Sequence, residues 1–138
     1  LNVSNDLFLA DCLVASGYCH DEKFSEYEKA LSNYQEALSR YKHFGNYHIC
    51  VSNVLQNLGS IYFSMRNLSD ALRCYKRRLV TLKHLRGSKK NRAISILDIE
   101  SEEVHTLQCI AKVLTEIGDN EEAIKNYDMA ITKLRFIL

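Results

Sequence analysis

A short pattern occurs three times in this sequence and limits the folds open to it. The stretches that begin at Ala30, Ala71 and Ala123 align without gaps over nine residues. Each reads alanine, an aliphatic residue, two variable residues, tyrosine, two variable residues, alanine or arginine, and a second aliphatic residue. Because an α-helix has about 3.6 residues per turn, the shared positions fall on one side of a helix. The repeat therefore predicts three amphipathic helices that pack through the same face.

A second pattern, a large residue, a small one and another large one three positions later, precedes each of these stretches. It occurs at Leu9-Ala10 with Leu13, at Leu58-Gly59 with Tyr62, and at Ile110-Ala111 with Leu114. Turn signals separate the two patterns at Gly17, Arg66-Asn67 and Gly118-Asp119. Glycine or asparagine just past a helix adopts the left-handed conformation at little cost. Each unit is therefore predicted to be a helix, a short turn and a second helix.

The composition favours an all-helical domain. Proline is absent and glycine occurs five times in 138 residues, so residues that break helices are scarce. An apolar share of 46% can fill one core, and the length suits a single domain over residues 1–138. No apolar run is long enough to cross a membrane. The chain begins at Leu1 rather than methionine, and we expect it to be a fragment of a longer protein.

The two patterns, in this order, resemble the tetratricopeptide repeat (TPR), a unit of about 34 residues that forms a helix, a turn and a helix. The resemblance rests on Leu55, Leu58, Gly59, Tyr62, Ala71 and Tyr75 in segment 52–85, and on Leu107, Ile110, Ala111, Ala123, Tyr127 and Ala130 in segment 104–137. The sequence departs from the family at Arg78, where the family prefers alanine, and at Lys83, where it often has proline. In the first unit only Leu9, Ala10 and Leu13 fit.

The resemblance implies an all-α fold, a right-handed superhelical array of antiparallel helix pairs with a concave and a convex face. Its three repeats would span about 3–43, 47–86 and 92–138. Ala71 follows Ala30 by 41 positions and Ala123 follows Ala71 by 52, so the repeats are long and loosely similar to those of kinesin light chains and Pins-type adaptors. The patterns place helices at 4–16, 23–43, 47–65, 68–86, about 92–117 and 120–136.

Residues 87–100 allow two interpretations. The second repeat spacing exceeds the first by 11 residues, which is close to three helical turns and returns the chain to nearly the same face. This favours a long helix from about Asn91 to Ile117. The alternative is a loop through 87–100, with Ser101 as the N-cap of a helix of ordinary length.

The sequence lacks the motifs expected of an enzyme. No GxxxxGK[ST], GxGxxG, HExxH or GxSxG string occurs, so we expect no catalytic activity and no cofactor. The run Cys19-His20-Asp21-Glu22 contains metal-ligand types, but adjacent residues on a turn do not readily surround one ion, and no metal site is expected. Five cysteines, an odd number without a CxxC pair, indicate a reducing, cytoplasmic setting.

Binding is the expected function, because in TPR folds the first helix of each pair lines the concave groove. The resemblance places the groove at Asn53, Gln56, Asn57, Ser60 and Ser64 in the second unit, at His105, Gln108 and Lys112 in the third, and at Ser4, Leu7, Asp11 and Ala15 in the first. Side-chain amides offer both a donor and an acceptor to a peptide backbone. The sequence therefore predicts a protein-interaction module that binds a peptide or helix of a partner along this groove.

The charge is patterned although the net charge is only +1. Residues 71–97 hold nine bases and no acid, whereas 98–128 hold nine acids and two bases. A basic strip over 73–92, with Arg73, Lys76 and Arg77, is predicted to meet an acidic partner, or else to complement the neighbouring acidic helices. Nucleic acid is a further alternative, which the pI of about 7.8 disfavours.

The apolar residues 134–138 at the end of the chain suggest a scaffold or oligomerisation segment as another alternative. A terminal helix of a repeat array usually has a polar outer side. The last helix is therefore expected to pack on a further helix, a partner chain or a second copy. Alternatively, Leu134, Ile137 and Leu138 are buried in the core of their own pair.

Overall fold

The computed structural model describes residues 3–22, 26–88 and 95–138. The α-helices are α1 (Val3–Glu22), α2 (Tyr27–Tyr41), α3 (Ile49–Ser64), α4 (Leu68–Gly87), α5 (Ile96–Ile117) and α6 (Asn120–Ile137), and a 3-10 turn (Lys42–Phe44) follows α2. The described residues include no strand, so the all-α prediction is confirmed. None of these helices is both long enough and apolar enough to span a membrane.

The helices form three pairs, α1 with α2, α3 with α4, and α5 with α6, and the pairs stack in chain order. Helix α2 packs on α3, and α4 packs on α5, so each second helix joins its own pair to the next one. The alanines that begin the repeated stretches, Ala30, Ala71 and Ala123, are all buried. This TPR-like array is the predicted fold.

Side-chain caps and left-handed residues set the turns within the second and third pairs. Asn67 Oδ1 accepts a hydrogen bond from the Asp70 amide (3.4 Å), and Asp119 Oδ1 accepts one from the Glu122 amide (3.2 Å). Gly118 ends α5 with φ +97°. At the other turn the left-handed residue is Arg66 (φ +62°) rather than the predicted Asn67, which serves as N-cap of α4 instead.

Gly17 does not form the predicted turn but lies inside α1, which continues to Glu22 rather than ending at residue 16. A Cβ atom at Gly17 would lie 2.8 Å from the ring of Tyr34. Gly59 has the same relation to Tyr75, at 2.5 Å. Glycine is therefore required here for close helix approach and not for its backbone freedom. In the first unit, the small residue that contacts the tyrosine of the second helix is Gly17. The sequence pattern had assigned this position to Ala10, seven residues earlier.

Helix α5 begins at Ile96, after Ser95. The helix predicted from about Asn91 is confirmed from Ile96 to Ile117, but Ser95 has an extended backbone (ψ +135°), so the helix does not continue unbroken from the predicted start. The alternative loop through 87–100 is wrong for residues 96–100, which are helical, and Ser101 is not an N-cap; residues 89–94 lie outside the described residues. Ser101 lies within α5, and its hydroxyl donates to the Leu97 carbonyl at 3.0 Å.

Arg78, where the TPR pattern prefers alanine, joins three helices. It is 2% exposed, and its Nε donates to the Ser52 carbonyl of α3 at 3.2 Å. Its guanidinium also donates to the Thr106 hydroxyl at 2.5 Å and to the Glu102 carboxylate, both on α5. These partners satisfy most of its donors, which a buried guanidinium requires.

Candidate functional site

Two side-chain contacts connect helices α3 and α5. Gln56 Nε2 lies 3.8 Å from Cys109 Sγ, and Lys112 Nζ lies 4.9 Å from the centre of the Phe63 ring. These contacts bring the predicted groove residues of the second and third units together into one surface. We call it the α3–α5 face, which consists of Asn53, Gln56, Asn57, Ser60, Ser64, His105, Gln108, Cys109 and Lys112.

Most side chains of the α3–α5 face are accessible. Six of the predicted residues are exposed, namely Asn53, Ser60, Ser64, His105, Gln108 and Lys112. Gln56 and Asn57 are half-buried. The carbonyl oxygen of Gln56 is itself buried, and no described residue donates a hydrogen bond to it. The exposed polar side chains of this face can therefore form hydrogen bonds with a ligand.

Cys109, which the sequence did not predict as a groove residue, also belongs to this face. Its sulfur lies near Gln56 and 3.9 Å from His105 Nε2, one turn earlier on α5. Tyr75 lies behind it, and burial together with the neighbouring thiol raises the pKa of Tyr75 above its ordinary value. Cys109 could have been predicted to lie beside His105, because residues four apart on a helix are neighbours on its surface.

In the first unit, the predicted groove residue Asp11 forms a contact within its own helix pair. The Asp11 carboxylate accepts a hydrogen bond from the Tyr41 hydroxyl, which ties α1 to the end of α2. That contact and burial raise the pKa of Tyr41 above its ordinary value, with burial the larger cause. Because Gly17 corresponds to Gly59, the α1 residue that corresponds to Ser60 is Tyr18. Its side chain is exposed, and the shifted register of α1 is why sequence reasoning missed it.

The basic residues of α4 lie in different surroundings rather than along one continuous strip. Arg73 forms an ion pair with Asp70 at 2.5 Å, on the exposed side of the helix. Lys76 and Arg77 instead line a cleft of about 520 Å³ between α4 and the segment that joins α2 to α3. We call it the basic cleft, and its lining residues are Lys42, Asn46, Tyr47, Val51, Lys76, Arg77, Val80 and Thr81. None of the residues of the α3–α5 face lines it.

The described residues give no sign of a metal site. Within 3–22, 26–88 and 95–138, no three side chains of the histidine, cysteine, aspartate or glutamate types are placed to hold an ion. The five cysteines are free thiols, and Cys12 and Cys19 are exposed.

Helix α6 has an apolar outer side that no described helix covers. Ile124, Tyr127 and Ile131 are 59%, 40% and 45% exposed, and we call these three residues the α6 face. Leu138 is 99% exposed, so its predicted burial in the core of its own pair is wrong. Leu134 and Ile137, by contrast, pack on the cluster of Val104, Leu107 and Ala130.

Comparisons with known proteins agree with this architecture. The family model described as tetratricopeptide repeat matches residues 8–79. The crystal structure of BtubC (BKLC) from P. vanneervenii superposes with a TM-score of 0.80 and 21% identity, over 93% of this chain and 47% of that one. The TPR domain of Arabidopsis FLU superposes with a TM-score of 0.73 and 21% identity, over 97% and 98%. The chain spans about half the length of BtubC. No curated protein sequence matches it.

Proposed function

Because the chain belongs to the tetratricopeptide repeat family, whose members are typically non-enzymatic protein-interaction modules, we propose that it binds a peptide or helix of a partner protein along the α3–α5 face. The observation that carries the proposal is the set of exposed polar side chains on this face, which includes Asn53, Ser60, His105, Gln108 and Lys112. The free, exposed thiols of Cys12 and Cys19 favour a reducing, cytoplasmic setting for this function.

An extended peptide fits the chemistry of this face. The amides of Asn53 and Asn57 offer donors and acceptors to a peptide backbone, and the half-buried Gln56 lies between them on α3. His105, Gln108 and Lys112 of α5 supply the second side of the site. Such backbone recognition gives affinity, and the charge of Lys112 favours an acidic residue at one position.

The basic residues of α4 supply the second part of the proposal. Lys76 and Arg77, with Arg73 beside them, favour a partner whose bound segment is acidic. Arg73 contributes least, because Asp70 already pairs with it. Charges of this kind raise the association rate and select the partner more than they raise affinity.

Selection of peptides against the purified chain tests the proposed site. Peptides enriched from a random display library are measured by isothermal titration calorimetry against the wild-type chain and the double variant Gln56→Ala, Asn57→Ala. Two lost hydrogen bonds correspond to about a tenfold or greater loss of affinity. The control is Asn126→Ala, which removes an amide from α6 and is expected to bind as the wild type does. Equal binding to the double variant contradicts the proposal.

The α6 face supports a second candidate function, that of a scaffold segment. The residues that correspond to this face in α2 and α4 are packed by the next helix pair, so the α6 face is built to receive another helix. We propose that a further helix pair, a partner helix or a second copy covers it.

Light scattering coupled to size-exclusion chromatography tests the case of a second copy. If copies stack through α6, the wild-type chain has a mass that increases with concentration, and Ile124→Lys with Ile131→Lys gives a monomer. Thr132→Lys adds a lysine off the α6 face and serves as the control. A monomeric wild-type chain at all concentrations excludes self-association.

A further inference from the structure

We infer that the basic cleft is a separate docking site for an acidic peptide segment that also contains a leucine or similar aliphatic residue. The inference deepens the proposed role of Lys76 and Arg77 and adds Lys42, Tyr47 and Val80 to it. It does not depend on the α3–α5 face, so either site can fail without the other.

The fold brings together cations that are far apart in the sequence. Lys42 belongs to the 3-10 turn after α2, whereas Lys76 and Arg77 lie in the middle of α4. They share a concave surface of about 520 Å³, a volume within the range of sites that hold part of a ligand.

The positive charge of the basic cleft has no internal compensation. No carboxylate of the described residues lies within ion-pair distance of Lys42, Lys76 or Arg77, whereas Arg73 and Arg78 on the same helix pair with Asp70 and Glu102. Burial, and secondly the charge of Arg77, lower the pKa of Lys42, so the lysine is held where its charge is disfavoured. A bound carboxylate offsets the repulsion between these cations and favours the charged form of Lys42.

An apolar wall beside the cations selects against a simple anion. Val80 is 50% exposed and lines the cleft, as does Tyr47. The Tyr47 ring stacks on His84 of α4, with centroids 3.7 Å apart and planes at 16°, which holds the ring in place. An aliphatic side chain between Val80 and Tyr47 removes apolar surface from water. Charge and shape together therefore favour a mixed acidic and aliphatic peptide.

Fluorescence anisotropy tests this site with a defined probe. The probe is a fluorescein-labelled peptide of repeated Glu-Glu-Leu triplets, compared with an all-glutamate peptide of equal length. The wild-type chain is expected to bind the first more tightly, and Val80→Ser removes that preference. Lys42→Gln with Arg77→Gln weakens both peptides by about tenfold or more, and affinity falls with added salt.

Three results separate this inference from its alternatives. The control variant Lys29→Gln with Lys125→Gln removes the same net charge elsewhere, and an equal loss of affinity there would overturn the inference. Tighter binding of a single-stranded oligothymidylate than of the leucine-containing peptide would assign the cleft to nucleic acid and also overturn it. Loss of binding in Gln56→Ala with Asn57→Ala, but not in the Lys42 and Arg77 variant, would place the peptide on the α3–α5 face.

Discussion

Helices α4 and α6 carry the same repeated stretch but differ in what covers it. Tyr75 of α4 is 4% exposed, whereas Tyr127, the corresponding residue of α6, is 40% exposed. Leu72 is half-buried, and the corresponding Ile124 is 59% exposed. Helix α5 packs on α4, while no described helix follows α6. The next pair therefore completes the burial of this stretch, as nearest-neighbour stacking in repeat proteins requires.

The comparison extends to a polar position. Arg78 of α4 and Ala130 of α6 occupy the same place in the repeat. Both are buried, but Arg78 reaches Ser52 of the preceding helix and Thr106 of the following one. The arginine therefore joins two repeats through hydrogen bonds, whereas the alanine at this position contributes only apolar packing.

The sharpest test of this difference is the loss of each tyrosine ring. Tyr75→Ala is expected to lower the free energy of unfolding by about 4 kcal/mol, because it leaves a large cavity in a buried cluster. Tyr127→Ala is expected to cost about 1 kcal/mol, since much of its ring already contacts water. Urea denaturation followed by circular dichroism measures both. Tyr75→Phe is the control for the hydroxyl, and equal losses for the two alanine variants would show that the following pair is not the source of burial.

The next largest effect concerns Arg78. Arg78→Ala is expected to lower the free energy of unfolding by about 3 kcal/mol, from a large cavity and the loss of the buried hydrogen bonds to Ser52 and Thr106. Glu102→Gln tests the ion pair alone and is expected to cost about 0.5 kcal/mol, because this carboxylate is 51% exposed. Urea denaturation again provides the measurement. A loss in Glu102→Gln as large as in Arg78→Ala would assign the stabilisation to the charge pair and not to the buried contacts.

The helix pairs could be predicted because the apolar residues of the repeat recur at the spacing of one face of an α-helix. The prediction failed at Gly17, since glycine signals both a turn and a close helix approach, and only the position of the Tyr34 ring distinguishes them. It also treated the basic residues of α4 as one strip. The sequence does not specify how α4 is rotated against its neighbours, and this rotation determines that Arg73 pairs with Asp70 and that Arg78 is buried. Lys42 could not be assigned to the basic cleft because it is more than 30 residues from Lys76 in the sequence.

The smallest effect tests the close approach that the pairs share. Alanine is a better helix former than glycine by about 1 kcal/mol, but a Cβ at Gly59 would lie 2.5 Å from the buried Tyr75 ring. Gly59→Ala is therefore expected to lower the free energy of unfolding by about 1–2 kcal/mol, since the overlap outweighs the helix propensity. Ala111, the corresponding residue of α5, already carries a Cβ, and Ala111→Gly is expected to destabilise by about 1 kcal/mol. If Gly59→Ala and Ala111→Gly both destabilise the protein, the distance between the two helices differs from one pair to the next. If Gly59→Ala stabilises the protein, the Tyr75 ring moves aside and the expectation is wrong.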